Sequence, residues 1–238
     1  MATQLYLGGM TVDVELKNIK NVHLSVYPPS GRVRISAPSR MSLDTIRAFA
    51  ITKLDWIKKQ QRKLQEQERE TPREYLDRES HYVLGRRYLL EVIEENAAPR
   101  VELKHNRMVL RVRPAVTEQG RQGVIDKWYR WALRQAVGPL ITRWESLMGV
   151  RVQRLYVQRM KTRWGTCNHA RQTIRLNTEL AKKPLESLEY VVVHEMAHIV
   201  EPSHNPRFIA LMDQFMPNWQ HRRRQLNQLP VRHEHWTY

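Results

Sequence analysis

The sequence predicts an α+β fold, with a β-rich first half carrying one helix and a second half of helices packed on a small sheet. Two observations carry this reading. As far as Val112, apolar and polar residues alternate in short runs between Gly, Pro and Asn turn signals, which is the period of half-buried strands. From Gly123 the apolar spacing lengthens to three and four residues, the period of a helix.

In chain order, Gln4–Leu7 and Met10–Leu16 flank Gly8-Gly9 and read as a hairpin, the glycine pair supplying positive φ for a tight turn. Val22–Tyr27 and Arg32–Ala37 flank Pro28-Pro29-Ser30-Gly31 as a second hairpin. Ser42 or Asp44 opens a helix with apolar positions Ile46, Phe49, Ala50, Leu54 and Ile57. Its continuation, Lys58–Glu70, is almost wholly charged or Gln and reads as a solvated extension ending near Pro72. Tyr82–Leu84, Arg87–Ile93, Val101–Lys104 and Met108–Val112 are further strands, with Gly85 and Asn106 at turns.

Val124, Trp128, Trp131 and Ala132 begin a helix that Gly138-Pro139 should interrupt before Leu140–Met148 resumes it. Its tryptophans, by their spacing, are expected in the core. Val152–Val157 and Thr173–Asn177 are strands flanking a loop, Lys161–Ala170, and Thr173–Asn177 is either an edge strand or an ordinary buried one. Helices at Leu185–Val200 and Pro206–Met216 precede a basic tail. No internal repeat is visible. A boundary is expected near residue 120, separating regions 1–120 and 121–238, with one continuous domain as the alternative.

A chain of 238 residues buries roughly 70% of its unfolded surface and needs no covalent staple. One cysteine, Cys167, excludes an intramolecular disulfide and a zinc site built mainly of thiolates. The N-terminus lacks signal-peptide character, and no apolar run reaches the roughly 18 residues of a spanning helix. A soluble, cytoplasmic protein with no membrane association is the expectation. Net charge is +16, and residues 121–175 hold twelve basic residues against Asp126 and Glu145, which makes +10 in that stretch. Such a field favours anionic partners, nucleic acid among them, or is simply a solvated basic face.

His194-Glu195-Met196-Ala197-His198 is the pattern HExxH. On a helix, residues i and i+4 share a face, so both imidazoles reach one metal ion, and Glu195 stands about 100° round where it addresses a water. Val191-Val192-Val193 has strand propensity, but Pro184 and an apolar run reaching Val200 favour a helix. HExxH alone arises in roughly 3% of shuffled chains of this composition; requiring His204 six residues on lowers that to roughly 0.1%. Glu201-Pro202 stops the helix, and Asn205-Pro206 opens the next one. His204 therefore sits on a sharp turn, able to fold back. Three neutral nitrogen donors with an open fourth position describe a catalytic zinc site, one ion per chain.

The segments VRISAPSRMSLDTIRAFAITKLDWI, RMKTRWGTCN, IRLN, YVVVHEMAHI and HNPRFIALMDQFMPNW resemble the YgjP-like metallopeptidase family. Metzincins share the histidine spacing but carry glycine where this chain has Glu201, which separates them. The resemblance implies a zincin-like core packed on a small sheet, zinc held by His194, His198 and His204, and Glu195 as the catalytic carboxylate. It also implies a runner-up to peptide hydrolysis, hydrolysis of a nucleoside triphosphate such as UTP. A third reading is a nucleic-acid-associated protein with a zinc site. Tyr190, Arg159, Lys161 and Arg163 are the candidate substrate-binding residues, for a peptide or an anionic small molecule. Cys167 is expected to be a small buried side chain and His169 a loop residue rather than a fourth ligand, and Glu201 either supports a ligand histidine or merely ends the helix.

Overall fold

The computed structural model describes residues 3–27, 31–66, 74–160 and 163–230. They form two compact units, one before the stretch 67–73 and one after it.

In the first unit β1 (Thr3–Leu7) and β2 (Met10–Lys17) pair antiparallel across Gly8-Gly9. Their φ values of +53° and +82° are the left-handed backbone that a two-residue hairpin turn requires. β3 (His23–Tyr27) pairs antiparallel with β4 (Arg32–Pro38), while the turn residues 28–30 lie outside the described residues. β2 also pairs parallel with β4, so the order is β1-β2-β4-β3. Val12, Val14, Val33, Ile35 and Ala37 form one apolar cluster with Ile46, Ala50 and Ile57. Those three come from α1 (Leu43–Thr52) and α2 (Leu54–Glu66), so the helix and its charged continuation are two helices meeting at Lys53.

The second unit opens with β5 (Ser80–Val83), β6 (Arg86–Glu94), β7 (Arg100–Lys104) and β8 (Arg107–Val112). Their order, β5-β6-β8-β7, and their pairings repeat the first sheet: outer pairs antiparallel, middle pair parallel. The recurrence is one of topology, without a repeat in the residues. At the β5–β6 turn Gly85 has φ +80°, and a Cβ there would meet Pro184 Cα at 3.1 Å.

Helix α3 (Glu118–Met148) starts at its cap Thr117 and ends at Gly149, φ +65°. The interruption expected at Gly138-Pro139 does not occur. Leu133 and Val137 before the proline, and Trp144 and Met148 after it, are buried in one core. Packing on both sides outweighs the roughly 3 kcal/mol that an interior proline costs. Leu90, Met108 and Leu110 share that core, so the second unit runs across residue 120, where the sequence suggests a boundary. Trp144 is buried and Trp128 packs against the core, but Trp131 is 55% exposed. It stands two residues past buried Tyr129, about 200° round the helix, which takes it off the buried stripe.

The third sheet contains β9 (Arg154–Gln158), β10 (Gly165–Asn168) and β11 (Thr173–Asn177) in the order β10-β11-β9. One expectation is corrected here: the supposed loop contains a strand, β10. Of the two alternatives for Thr173–Asn177 the buried one holds, since it is the central strand, with β10 and β9 at the edges among the described residues.

A 3-10 turn (Thr178–Lys182) leads into α4 (Leu185–Val200), α5 (Pro206–Phe215) and α6 (Trp219–Gln228). Helix α6 occupies what reads as a basic tail: Trp219 and Leu226, seven residues apart, are both buried, and Arg222 Nη1 bonds Glu189 Oε2 of α4 at 2.6 Å. Residues 231–238, with His233 and His235, lie outside the described residues. Among the described residues no helix is long and apolar enough to cross a membrane.

Asn205 caps α5, its Oδ1 accepting from Phe208 N at 3.0 Å with Pro206 in the first turn. Asn205→Ala should therefore lower stability by about 1 kcal/mol, measured by thermal or denaturant unfolding.

Candidate metal centre

Helix α4 carries the motif because it is buried on most of its surface. Leu188, Tyr190, Val191, Val192, Val193, Met196 and Ala197 all lie inside. A helix apolar nearly all round is a core helix, and tertiary packing overrides the strand propensity of the three valines. Glu189 ties it to its neighbours: its carboxylate accepts from Trp144 Nε1 at 3.1 Å and Arg143 Nη1 at 3.3 Å on α3, and from Arg222 on α6.

Past Val200 the chain turns within a few residues. Glu201 N–H closes the helix on Ala197 O at 2.9 Å, and the Glu201 carboxylate accepts from Ser203 N at 3.3 Å and Ser203 Oγ at 3.0 Å. Those bonds, Ser203 foremost, hold the Glu201 carboxyl below its ordinary value. Both readings of Glu201 therefore apply. It ends the helix, and its backbone carbonyl lies 3.0 Å from His198 Nδ1, placed to accept that proton.

The turn brings three imidazoles together. His204 Nε2 lies 3.0 Å from His194 Nε2 and 3.1 Å from His198 Nε2. Burial first, then the charges of His198 and His204, push His194 down to about 3, and burial lowers His204 as well. Neutral rings present lone pairs. With the His198 Nδ1 proton directed at Glu201 O, the His198 Nε2 is an acceptor facing another nitrogen. One proton cannot satisfy three such nitrogens, and a cation can. The donor atoms lie within 4.8 Å of one another, and the His194 Nδ1 is buried without a partner. Residues and geometry fit a metal ion.

Glu195 is buried one position along, and burial pushes its carboxyl up to about 8 while Arg163 pulls the other way. It lies against β10: a Cβ built on Gly165 would sit 2.6 Å from Glu195 Oε1 and 2.8 Å from its Cγ. Only glycine leaves that space.

These groups line a cleft of about 450 Å³, together with Arg163, Cys167, His169, Tyr190 and Pro202. Among the candidate substrate-binding residues, Tyr190 and Arg163 are therefore on the wall. Arg159 is exposed just past β9, outside that lining, and Lys161 lies outside the described residues. Burial pushes the Cys167 thiol up to about 11, so it stays protonated, and neither it nor His169 joins the donor cluster.

The geometry is a three-histidine cluster beside a buried carboxyl on a helix that carries HExxH. Compared with known protein families, residues 20–229 match the YgjP-like metallopeptidase domain. The chain belongs to that family. No curated protein matches it. In this YgjP-like domain two further residues support the centre without any motif to announce them. Phe208 is fully buried, with its ring centroid 4.5 Å, 4.7 Å and 5.0 Å from those of His198, His204 and His194. Arg223, on α6, adds positive charge felt by Tyr190, His194 and His204. Phe208 could have been sought one helical turn past His204. Arg223 gives no signal inside a segment read as a tail.

Two outcomes are expected. His204→Ala leaves two nitrogen donors, so metal retained after dialysis, measured by elemental analysis, should fall from about one ion per chain to near zero. Gly165→Ala forces Glu195 aside and should cost about 1–3 kcal/mol in unfolding experiments.

Proposed function

We propose that this YgjP-like protein is a zinc-dependent peptidase in which Glu195 is the general base. The observation that carries the reading is the convergence of three imidazole nitrogens beside a buried carboxyl group on a cleft wall. Zinc is the ion best suited to three imidazole donors with a position left for water or substrate. When bound, it supplies Lewis acidity at the head of the cleft.

The chain's own groups do the rest. Glu195 is within the cleft and raised in basicity by burial, so its carboxylate takes the proton of the attacking water and returns it to the departing amide nitrogen. Burial holds the Tyr190 phenol above its ordinary pKa, so it stays a donor for the oxygen that gains negative charge. The edge strand β10 contributes Gly165, Thr166 and Cys167 to the cleft, and an extended peptide pairing with its outer edge, which no strand covers among the described residues, would carry its backbone past Glu195. A cytoplasmic setting suits the single unpaired cysteine.

Arg163 on the wall favours a second reading, hydrolysis of a nucleoside triphosphate such as UTP, whose phosphates need cationic partners. Kinetics on peptides and nucleotides separate the two. Arg163→Gln should leave turnover of neutral peptides nearly unchanged, whereas triphosphate hydrolysis would lose kcat.

Glu195→Gln keeps the side chain's size but cannot accept a proton. It should retain zinc and lose at least about a hundred-fold in turnover. Loss of metal together with activity would make Glu195 a ligand or a packing element instead.

A further inference from the structure

The third sheet has an outer face that the metal centre does not use. Side chains alternate across a strand, so Leu155, Val157, Ile174 and Leu176 turn to the core while Arg154, Tyr156 and Arg175 turn out to solvent. Tyr156 and Arg175 are register partners between β9 and β11, and the Arg175 guanidinium sits 5.6 Å from the Tyr156 ring centroid. That ring is 41% exposed on an open sheet.

Charge reinforces the pattern. From Arg151 to Thr178 the chain contains seven Lys and Arg and no Asp or Glu. Arg151, Arg154, Arg171 and Arg175 are exposed, and no ion pair with a carboxylate engages any of them among the described residues. Within this basic surface Tyr156 presents an exposed aromatic ring beside Arg175. A ring there, with one of its own cations laid over it, is a platform for a second flat group.

We propose that the outer face of the β9–β11 sheet binds single-stranded nucleic acid, Tyr156 and Arg175 stacking an unpaired base while Arg154 and Arg171 hold phosphates. Every base has a π-face, so such a platform takes any sequence, and the arginines track the backbone. Duplex DNA keeps its bases stacked on one another and would use only the arginines. An acidic protein segment would likewise leave the ring idle. The proposal does not rest on the peptidase reading, since Tyr156 points away from the core on which the metal helix packs.

The test is fluorescence anisotropy of a labelled oligothymidylate of about 20 nucleotides with the metal-loaded full chain. Single strands should bind more tightly than duplex of the same length. Tyr156→Ala should weaken binding by at least about five-fold, and Tyr156→Phe should restore it. Arg154→Gln should reduce the slope of log K against log salt by about 0.7, the effect of one lost phosphate contact. Unfolding midpoints and zinc content should match wild type in all three variants, and if Tyr156→Ala proves misfolded, Arg154→Gln and the single-strand preference still decide. Three results would overturn the proposal: no binding at low salt, duplex bound as tightly as single strands with Tyr156→Ala silent, or displacement by polyglutamate at equal charge. The second would reduce the face to general electrostatics, and the third would assign it to an acidic protein.

Discussion

The His204 Nε2 lies 3.0 Å from that of His194 and 3.1 Å from that of His198, and much of the surrounding structure serves to hold this contact. Two of the three rings come from consecutive turns of α4, which costs nothing beyond forming the helix. The third needs the chain to reverse within the residues after Val200. Ser203, Asn205 and the Glu201 carboxylate supply the hydrogen bonds of that reversal, and Phe208 lies against all three rings. The local turn and the apolar wall together hold a contact that neither would hold alone.

The same burial that lowers the pKa of His194 and His204 raises that of the carboxyl beside them. His194 is driven down and Glu195 up by one cause, removal of water from around α4. That arrangement depends on close approach by β10, which Gly165 alone permits. It depends as well on Glu189, which draws α3 and α6 onto the helix through Trp144, Arg143 and Arg222. Charged groups around the cleft then come from separate elements, Arg163 before β10 and Arg223 on α6.

Much of this was legible in the residues. The two hairpins of the first unit, the four strands that follow, the helix carrying HExxH and the turn at Glu201-Pro202 follow from period and punctuation, which act over a few residues. Failures fall where distant contacts decide. Pro139 reads as a break, yet Val137 and Trp144 are gripped by one core on either side of it. β10 reads as loop because a four-residue strand beginning with glycine has almost no signature of its own. It is a strand because β11 pairs with it. Trp219 and Leu226 are too sparse among arginines and glutamines to announce α6, and they become a buried face only once α4 lies beneath them.

By itself, then, the sequence determined the α+β class, the helical register that puts His194 and His198 on one face, and the place of His204 on a turn. Each is a matter of backbone geometry between near neighbours, where spacing translates directly into direction. Only the tertiary structure decided that His204 closes on the other two, that Gly165 leaves room for Glu195, that β11 is the central strand with β10 at an edge, and that Tyr156 faces outward beneath Arg175. Those pairings join residues that meet through packing and strand order. No period along the chain encodes which distant surface will be there to receive a side chain.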